Sequence, residues 1–303
     1  MKRGLLDIES LTRPEIEQIL TRAKDFQPPK GEPFQRFDLL RGRTIVNLFF
    51  ESSTRTRTSF EIAARRLGAD TISITSSGSS VSKGESLVDT LNTIGAMRPD
   101  AIVIRHSASG APHFIARYLP IPIVNAGDGM HEHPTQALLD ARTILDRRAS
   151  LEGLRIAIIG DIAHSRVARS NIFLLSKFGV RLVLCGPASL LPQEMKDIAP
   201  GVELTTNMQE AIRDADVIMM LRVQLERQYE APFPVNEYFQ FFGLRLEHME
   251  MAKPDVIVMH PGPMNRGREI SSEVADSQRS AILNQVGNGI SVRMAVLEKV
   301  LAQ

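Results

Sequence analysis

The sequence predicts an α/β protein of two doubly wound domains, each a parallel sheet flanked by helices. Three observations predict it. Short apolar runs rich in valine and isoleucine recur along the chain, segments of helical periodicity lie between most of them, and 303 residues exceed what one ordinary core serves. Thr12-Arg13-Pro14-Glu15 resembles a capping box with proline at the first helical position, and Ile16, Ile19, Leu20, Ala23 and Phe26 follow at helical spacing. An amphipathic helix therefore opens the chain. TIVNLFF (44–50) then suits a strand buried on both faces, as do TISI (71–74), AIVI (101–104), IPIVN (121–125), RIAIIG (155–160), RLVLCG (181–186), DVIMML (216–221) and DVIVMH (255–260).

A helix is expected from His133-Pro134 to about Arg148, and the domain boundary is placed at its start, giving residues 1–134 and 135–287. Helical spacing resumes from Ser280 to Leu301 with Gly287-Asn288-Gly289 inside it, which predicts a break there and a tail, 288–303, returning to the first domain. The serine-rich stretch SITSSGSSVSKGES (73–86) has a linker's composition, but its place between a strand and a helix favours a mobile site loop.

Composition narrows the function. Net charge is +1 from 36 basic and 35 acidic side chains, so no broad positive field exists to hold a nucleic acid, and any bound anion is small and held locally. A single cysteine, Cys185, rules out an internal disulfide and a cysteine-rich zinc site, which fits a reducing compartment. The N-terminus MKRGLLDIES lacks the apolar core of a signal peptide, and no run approaches the roughly 18 uncharged residues of a membrane span. A soluble, cytoplasmic protein is expected.

The chemistry gathers at strand ends. FFESSTRTRTSFE (49–61) sets two arginines among serines and threonines where a strand hands over to a helix, the place where free amides and the helix dipole favour an anion. Ser53, Thr54, Arg55 and Thr56 offer hydroxyls, amides and a guanidinium to one phosphate; the plainer alternative is a capped helix with solvated arginines. The Walker pattern is missing, and GDIAHSR (160–166) lacks the spaced glycines of a dinucleotide turn. Arg105-His106, His131-Glu132-His133-Pro134-Thr135-Gln136 and His260-Pro261-Gly262-Pro263 follow three further runs. His131 and His133 are metal ligands by type, but no third ligand stands at a matching spacing, so no metal and no cofactor is expected.

Ser53-Thr54-Arg55-Thr56-Arg57, His133-Pro134-Thr135-Gln136 and His260-Pro261-x-Pro263 together resemble the aspartate/ornithine carbamoyltransferase superfamily, in order and spacing over essentially the whole chain. Leu221-Arg222-Val223-Gln224 with Glu226-Arg227 is similar to the second-substrate loop of the aspartate branch. The Ser-Met-Gly loop and the cysteine-bearing turn usual in the ornithine branch do not occur. The resemblance implies transfer of the carbamoyl group of carbamoyl phosphate to the amine of L-aspartate, on the route to pyrimidines. It makes residues 1–134 the carbamoyl-phosphate domain and 135–287 the aspartate domain, with the active site in the cleft between them and the domains closing over substrate.

By resemblance, Ser53, Thr54, Arg55 and Thr56 hold the phosphate, Arg105 bridges phosphate and carbonyl oxygen, and Thr56, Arg105 and His133 supply oxyanion donors. Gln136 and the backbone carbonyl of Pro261, beside Gly262, accept from the carbamoyl NH2. Arg166, Arg222 and Gln224 take the aspartate carboxylates, which forked guanidinium groups match better than lysine does. Ser79 and Lys83 correspond to residues lent by a neighbouring subunit, Lys83 as a catalytic and aspartate-binding residue, which implies a homotrimer with shared sites; regulatory chains or a dihydroorotase-type partner are the further associates the resemblance allows. Gly262 stands where the aspartate branch commonly has leucine. Two other readings stay open: a carbamoyltransferase for another amine such as ornithine, and a catalytically silent scaffold, against which the full set of phosphate and oxyanion donors speaks.

Overall fold

The computed structural model describes residues 4–29, 31–75, 86–223 and 235–301, without the side chains of 235 and 236. The chain divides into two compact units, Met1–Arg142 with Gly287–Gln303, and Thr143–Val286.

In the first unit the elements run β1 (Gly4–Leu5), α1 (Arg13–Asp25), β2 (Thr44–Phe49), α2 (Thr54–Arg66), β3 (Asp70–Thr75), α3 (Leu87–Ala96), β4 (Ala101–His106), α4 (Ala111–Tyr118), β5 (Ile123–Asp128) and α5 (Pro134–Leu145), whose last turn crosses into the second unit's stretch. The five strands form one parallel sheet in the order β1-β5-β4-β2-β3. Side chains alternate across it. Val46, Leu48, Ile102, Ile104 and Ile123 bury one face against Leu91 and Ile94 of α3 and Ile115 of α4. Ile45, Asn47 and Phe49, in register with Ala101, Val103 and Arg105, take the opposite face. At the start of α1, Glu15 accepts hydrogen bonds from the Thr12 amide and hydroxyl, both at 2.8 Å, so the expected cap is present with the hydroxyl as donor.

The second unit runs β6 (Arg155–Ile159), α6 (Arg166–Ser176), β7 (Arg181–Cys185), β8 (Val202–Thr205), α7 (Met208–Ile212), β9 (Val217–Met220), α8 (Val235–Phe242), α9 (Leu246–Met249), β10 (Ile257–Met259) and α10 (Ser272–Ala275). Its sheet is also parallel, in the order β10-β9-β6-β7-β8. The central strands β6 and β9 are buried on both faces, which is why their sequences read as unbroken apolar runs. Cys185 lies in this core, where burial pushes its thiol up to about 12 and keeps it unreactive. Among the described residues no helix is long and apolar enough to cross a membrane.

The structure departs from the sequence reading in four places. Strands β1 and β8 were not expected: β1 has two residues, and β8 is an edge strand whose exposed Glu203 breaks the apolar run. Strand β5 runs on past Asn125 to Asp128 because its polar residues are buried and bonded rather than solvated. Helix α11 (Ile282–Leu301) is continuous through Gly287-Asn288-Gly289. There the glycine serves close packing: a Cβ on Gly289 would stand 2.5 Å from the Arg293 guanidinium and 3.5 Å from Leu139. The division between the two units falls after Arg142, inside α5, where Leu139 lies against the stretch of α11 that belongs to the first unit.

Candidate active site

Strands β2, β4 and β5 are neighbours in the first sheet, so the segments following them come to one edge. After β2, Ser53 caps α2 in an extended conformation; its hydroxyl accepts the Thr56 amide at 3.4 Å and donates to the Thr56 hydroxyl at 2.9 Å. The first-turn amides of α2 have no acceptor within the helix, and the dipole adds partial positive charge at that point. Thr54 and Arg55 are exposed there, while Thr56 is buried. Arg57 points along the helix toward Glu61 at 3.6 Å, so it stabilises the helix face.

Arg105, in register with Phe49, stands next to last in β4, and its guanidinium reaches the segment after β2. It bonds Glu51 at 2.6 Å and the carbonyl of Ala126 at 3.3 Å. Glu51 therefore holds the Arg105 guanidinium beside the segment that leads into α2. After β5, the His133 carbonyl accepts the amides of Gln136 at 2.9 Å and Ala137 at 3.3 Å, so His133 caps α5 with Pro134 at the first helical position. Gln136 lies one turn in, and its side-chain nitrogen donates to Asp140 at 2.9 Å, which leaves the amide oxygen on the other side.

The loop before His133 is braced by Asp128. Burial alone would raise this carboxyl, but hydrogen bonds from His131, Asn125 and the Gly110 amide overcome that and hold it below the ordinary range. The same hydrogen bond, at 3.0 Å, raises His131 against its own burial. His131 thus braces the loop, packed edge-on against His113, which is bonded in turn to Asp7 at 2.7 Å. A raised histidine contributes stability that is complete below its unfolded pKa, near 6.5, and is lost as pH rises through the folded value. His131→Gln is therefore expected to cost about 1 kcal/mol near pH 5.5 and less near pH 8.5. Melting curves at the two pH values check it; an equal loss at both would contradict it.

In the second unit the neighbouring strands β10, β9 and β6 carry the remaining groups. Ser165 caps α6 by accepting the Ala168 amide at 3.1 Å, and the buried Arg166 opens that helix. Arg222 is half-buried immediately after β9. Beside it, the Val223 amide donates to Glu269 at 3.1 Å, and Glu269 also accepts the backbone and side-chain nitrogens of Asn265 at 2.7 and 2.9 Å. This fully buried carboxylate fastens the Arg222 segment to the turn after β10; burial raises it, and those hydrogen bonds offset the rise only in part. In the turn, the Gly262 amide donates to His260 Nδ1 at 2.8 Å and the His260 amide to Gln285 at 2.9 Å. Gly262 has φ 64°, a left-handed conformation that glycine adopts freely and leucine resists.

The structure thus gathers Ser53, Thr54, Arg55, Thr56, Arg105, His133 and Gln136 on one sheet edge of the first unit. It sets Arg166, Arg222, Pro261 and Gly262 on the corresponding edge of the second. Ser79, Lys83 and Gln224 lie outside the described residues. Glu51, Asp140 and Glu269 were missed by the sequence reading. Glu51 stands two residues before Ser53, and Asp140 one helical turn after Gln136, a spacing at which glutamine and aspartate meet on a helix. Glu269 gives no local signal.

Comparison with known proteins places the whole chain. Residues 3–146 match the family model of the aspartate/ornithine carbamoyltransferase carbamoyl-P binding domain, and residues 152–300 that of the Asp/Orn binding domain. The aspartate carbamoyltransferase catalytic subunit of Solibacter usitatus is 76% identical over 301 residues, spanning 99% of this chain and 100% of its own length. Aspartate transcarbamoylase from Trypanosoma cruzi, solved with carbamoyl phosphate and aspartate, superposes with a TM-score of 0.89 at 33% identity, over 99% of this chain and 96% of that one. Ornithine carbamoyltransferase from Pyrococcus furiosus superposes almost as well, with a TM-score of 0.87 at 30% identity over 99% and 97% of the two chains. Shape alone therefore does not select the acceptor amine.

Proposed function

We infer the reaction from a premise that both halves of the chain supply: it belongs to the aspartate/ornithine carbamoyltransferase family. The chain is an aspartate carbamoyltransferase, a transferase that moves the carbamoyl group of carbamoyl phosphate to the amine of L-aspartate, giving N-carbamoyl-L-aspartate and phosphate. The near full-length identity to the Solibacter catalytic subunit carries the choice of aspartate over ornithine. Product belongs to pyrimidine synthesis.

The site residues follow from the demands of this reaction. The neutral amine attacks the carbonyl carbon, a carbon-nitrogen bond forms as the carbon-oxygen bond to phosphate breaks, and charge builds on the carbonyl oxygen and then on phosphate. Ser53, Thr54, Arg55 and Thr56 hold the phosphate with the α2 amides; supporting this, they sit at the helix start, where the first-turn amides point out of the helix and the dipole favours an anion. Arg105, exchanging Glu51 for substrate, spans phosphate and carbonyl oxygen, and Thr56 and His133 complete the oxyanion donors. Gln136 and the Pro261 carbonyl accept from the carbamoyl NH2. The proton shed by the attacking nitrogen passes to the leaving phosphate, so no separate general base is needed.

Arg166 and Arg222, assisted by Gln224, take the two carboxylates of aspartate. The fastening of Val223 to Glu269 supports this by fixing the backbone beside Arg222. Ser79 and Lys83 serve the site of a neighbouring subunit, making a homotrimer the working unit, and the single buried thiol suits the cytoplasm. The shared site has a direct check. Inactive Lys83→Gln and Arg55→Ala chains, mixed under conditions of verified subunit exchange, are expected to regain activity, because one interface of a hybrid trimer keeps both native residues; no recovery would argue against sharing. The reaction itself is tested by following phosphate release and N-carbamoyl-L-aspartate together. The two should rise one for one, and phosphate release without carbamoylated product would contradict the assignment.

A further inference from the structure

Arg293 of α11 is buried among three helices of the first unit. Its guanidinium carbon lies 5.0 Å from the ring centroid of Phe60, on the cradle helix α2, and its NH1 donates to the Gly289 carbonyl at 3.1 Å. Gly289, where any side chain would meet that guanidinium, lies against Leu139 of α5. Burial lowers the Arg293 guanidinium, to about 9, which leaves it charged near pH 7; the carboxylate of Asp140, one residue past Leu139 on α5, opposes that fall, and the guanidinium of Arg105 adds to it. Asp140 is itself fully buried and holds the Gln136 amide nitrogen at 2.9 Å.

These contacts bear on the polarity of Gln136. An ionised carboxylate can only accept hydrogen bonds, so a charged Asp140 compels Gln136 to present its nitrogen to it and its oxygen to the opposite side. A neutral partner that both donates and accepts would permit the flipped amide, which offers a nitrogen where the carbamoyl NH2 must bind and so sets donor against donor. A buried carboxylate stays charged only with a cation or strong donors nearby.

We propose that Asp140 and Arg293 are positioning residues for carbamoyl recognition: Arg293, packed with α5 across Gly289, favours the carboxylate form of Asp140, and Asp140 fixes the Gln136 amide with its oxygen toward the substrate NH2. The proposal rests on the reading of Gln136 as the acceptor for that NH2. It assigns the last helix of the chain a part in substrate choice, through a residue that touches no substrate.

Acetyl phosphate tests it, since it replaces the carbamoyl NH2 by a methyl group and keeps the phosphate and the carbonyl. Dissociation constants for carbamoyl phosphate and acetyl phosphate are measured by calorimetry on the wild-type protein, Gln136→Ala, the isosteric Asp140→Asn and Arg293→Gln, each with its melting temperature. The wild type is expected to prefer carbamoyl phosphate, and Gln136→Ala to erase most of that preference. Asp140→Asn and Arg293→Gln are each expected to cut it about tenfold while acetyl phosphate affinity changes less than about twofold. A purely structural role would weaken both ligands alike. Preference retained in Asp140→Asn but lost in Gln136→Ala overturns the proposal alone; preference retained in Gln136→Ala overturns the Gln136 reading and the proposal with it. Should Asp140→Asn not fold, the same ratio in Arg293→Gln decides.

Discussion

Arg55→Ala is expected to lower kcat/KM by about 10² to 10³, the loss of about 2.7 to 4 kcal/mol that follows removal of one charge-matched transition-state donor. The melting temperature should stay within about a degree of wild type. Two facts separate function from stability here: Arg55 is exposed, and the neighbouring cap that holds α2 in place is made by Ser53 and Thr56. Its helix position is also tolerant, because alanine has the higher helix propensity. Steady-state kinetics beside thermal melting check both halves. A folded variant with near-normal turnover would remove Arg55 from the phosphate cradle.

Arg222→Ala is the second large effect, and it should fall on the other substrate. Losing one of two guanidinium clamps leaves an aspartate carboxylate unpaired, at a cost of about 2 to 5 kcal/mol, which lowers kcat/KM for aspartate by roughly 30-fold to 5,000-fold. Binding of carbamoyl phosphate, measured without aspartate, should be unchanged. Arg222 lies after β9 of the second unit, whereas the proposed cradle follows β2, β4 and β5 of the first, so the two substrates' affinities should separate by mutation. Equal loss for both substrates would mean that Arg222 acts on the fold or on the phosphate rather than on aspartate.

The legibility of this molecule followed burial. Strands covered on both sides, such as Arg155–Ile159 and Val217–Met220, wrote themselves as apolar runs because every position after Arg155 in the first, and every position in the second, is buried. The edge strand Val202–Thr205 did not, since water on its open side permits Glu203. Gly287-Asn288-Gly289 misled for a related reason. Glycine propensity argues for a break, yet close approach to Arg293 and Leu139 outweighs that local cost. The placement of Ser53 to Thr56 and of His133 to Gln136 after strands was legible because each follows an apolar run. Glu269 was not: its partners Val223 and Asn265 mean nothing together until β9 and β10 lie side by side. Asp140 had the right spacing from Gln136, but only the contact shows which way the amide is turned.

The central claim is the choice of acceptor, since the cradle would serve any carbamoyltransferase. The most direct measurement supplies carbamoyl phosphate with equal concentrations of L-aspartate and L-ornithine and quantifies both carbamoylated products by mass spectrometry. N-carbamoyl-L-aspartate is expected to the near exclusion of citrulline; citrulline as the main product would keep the phosphate cradle and overturn the assignment of Arg166 and Arg222 to aspartate.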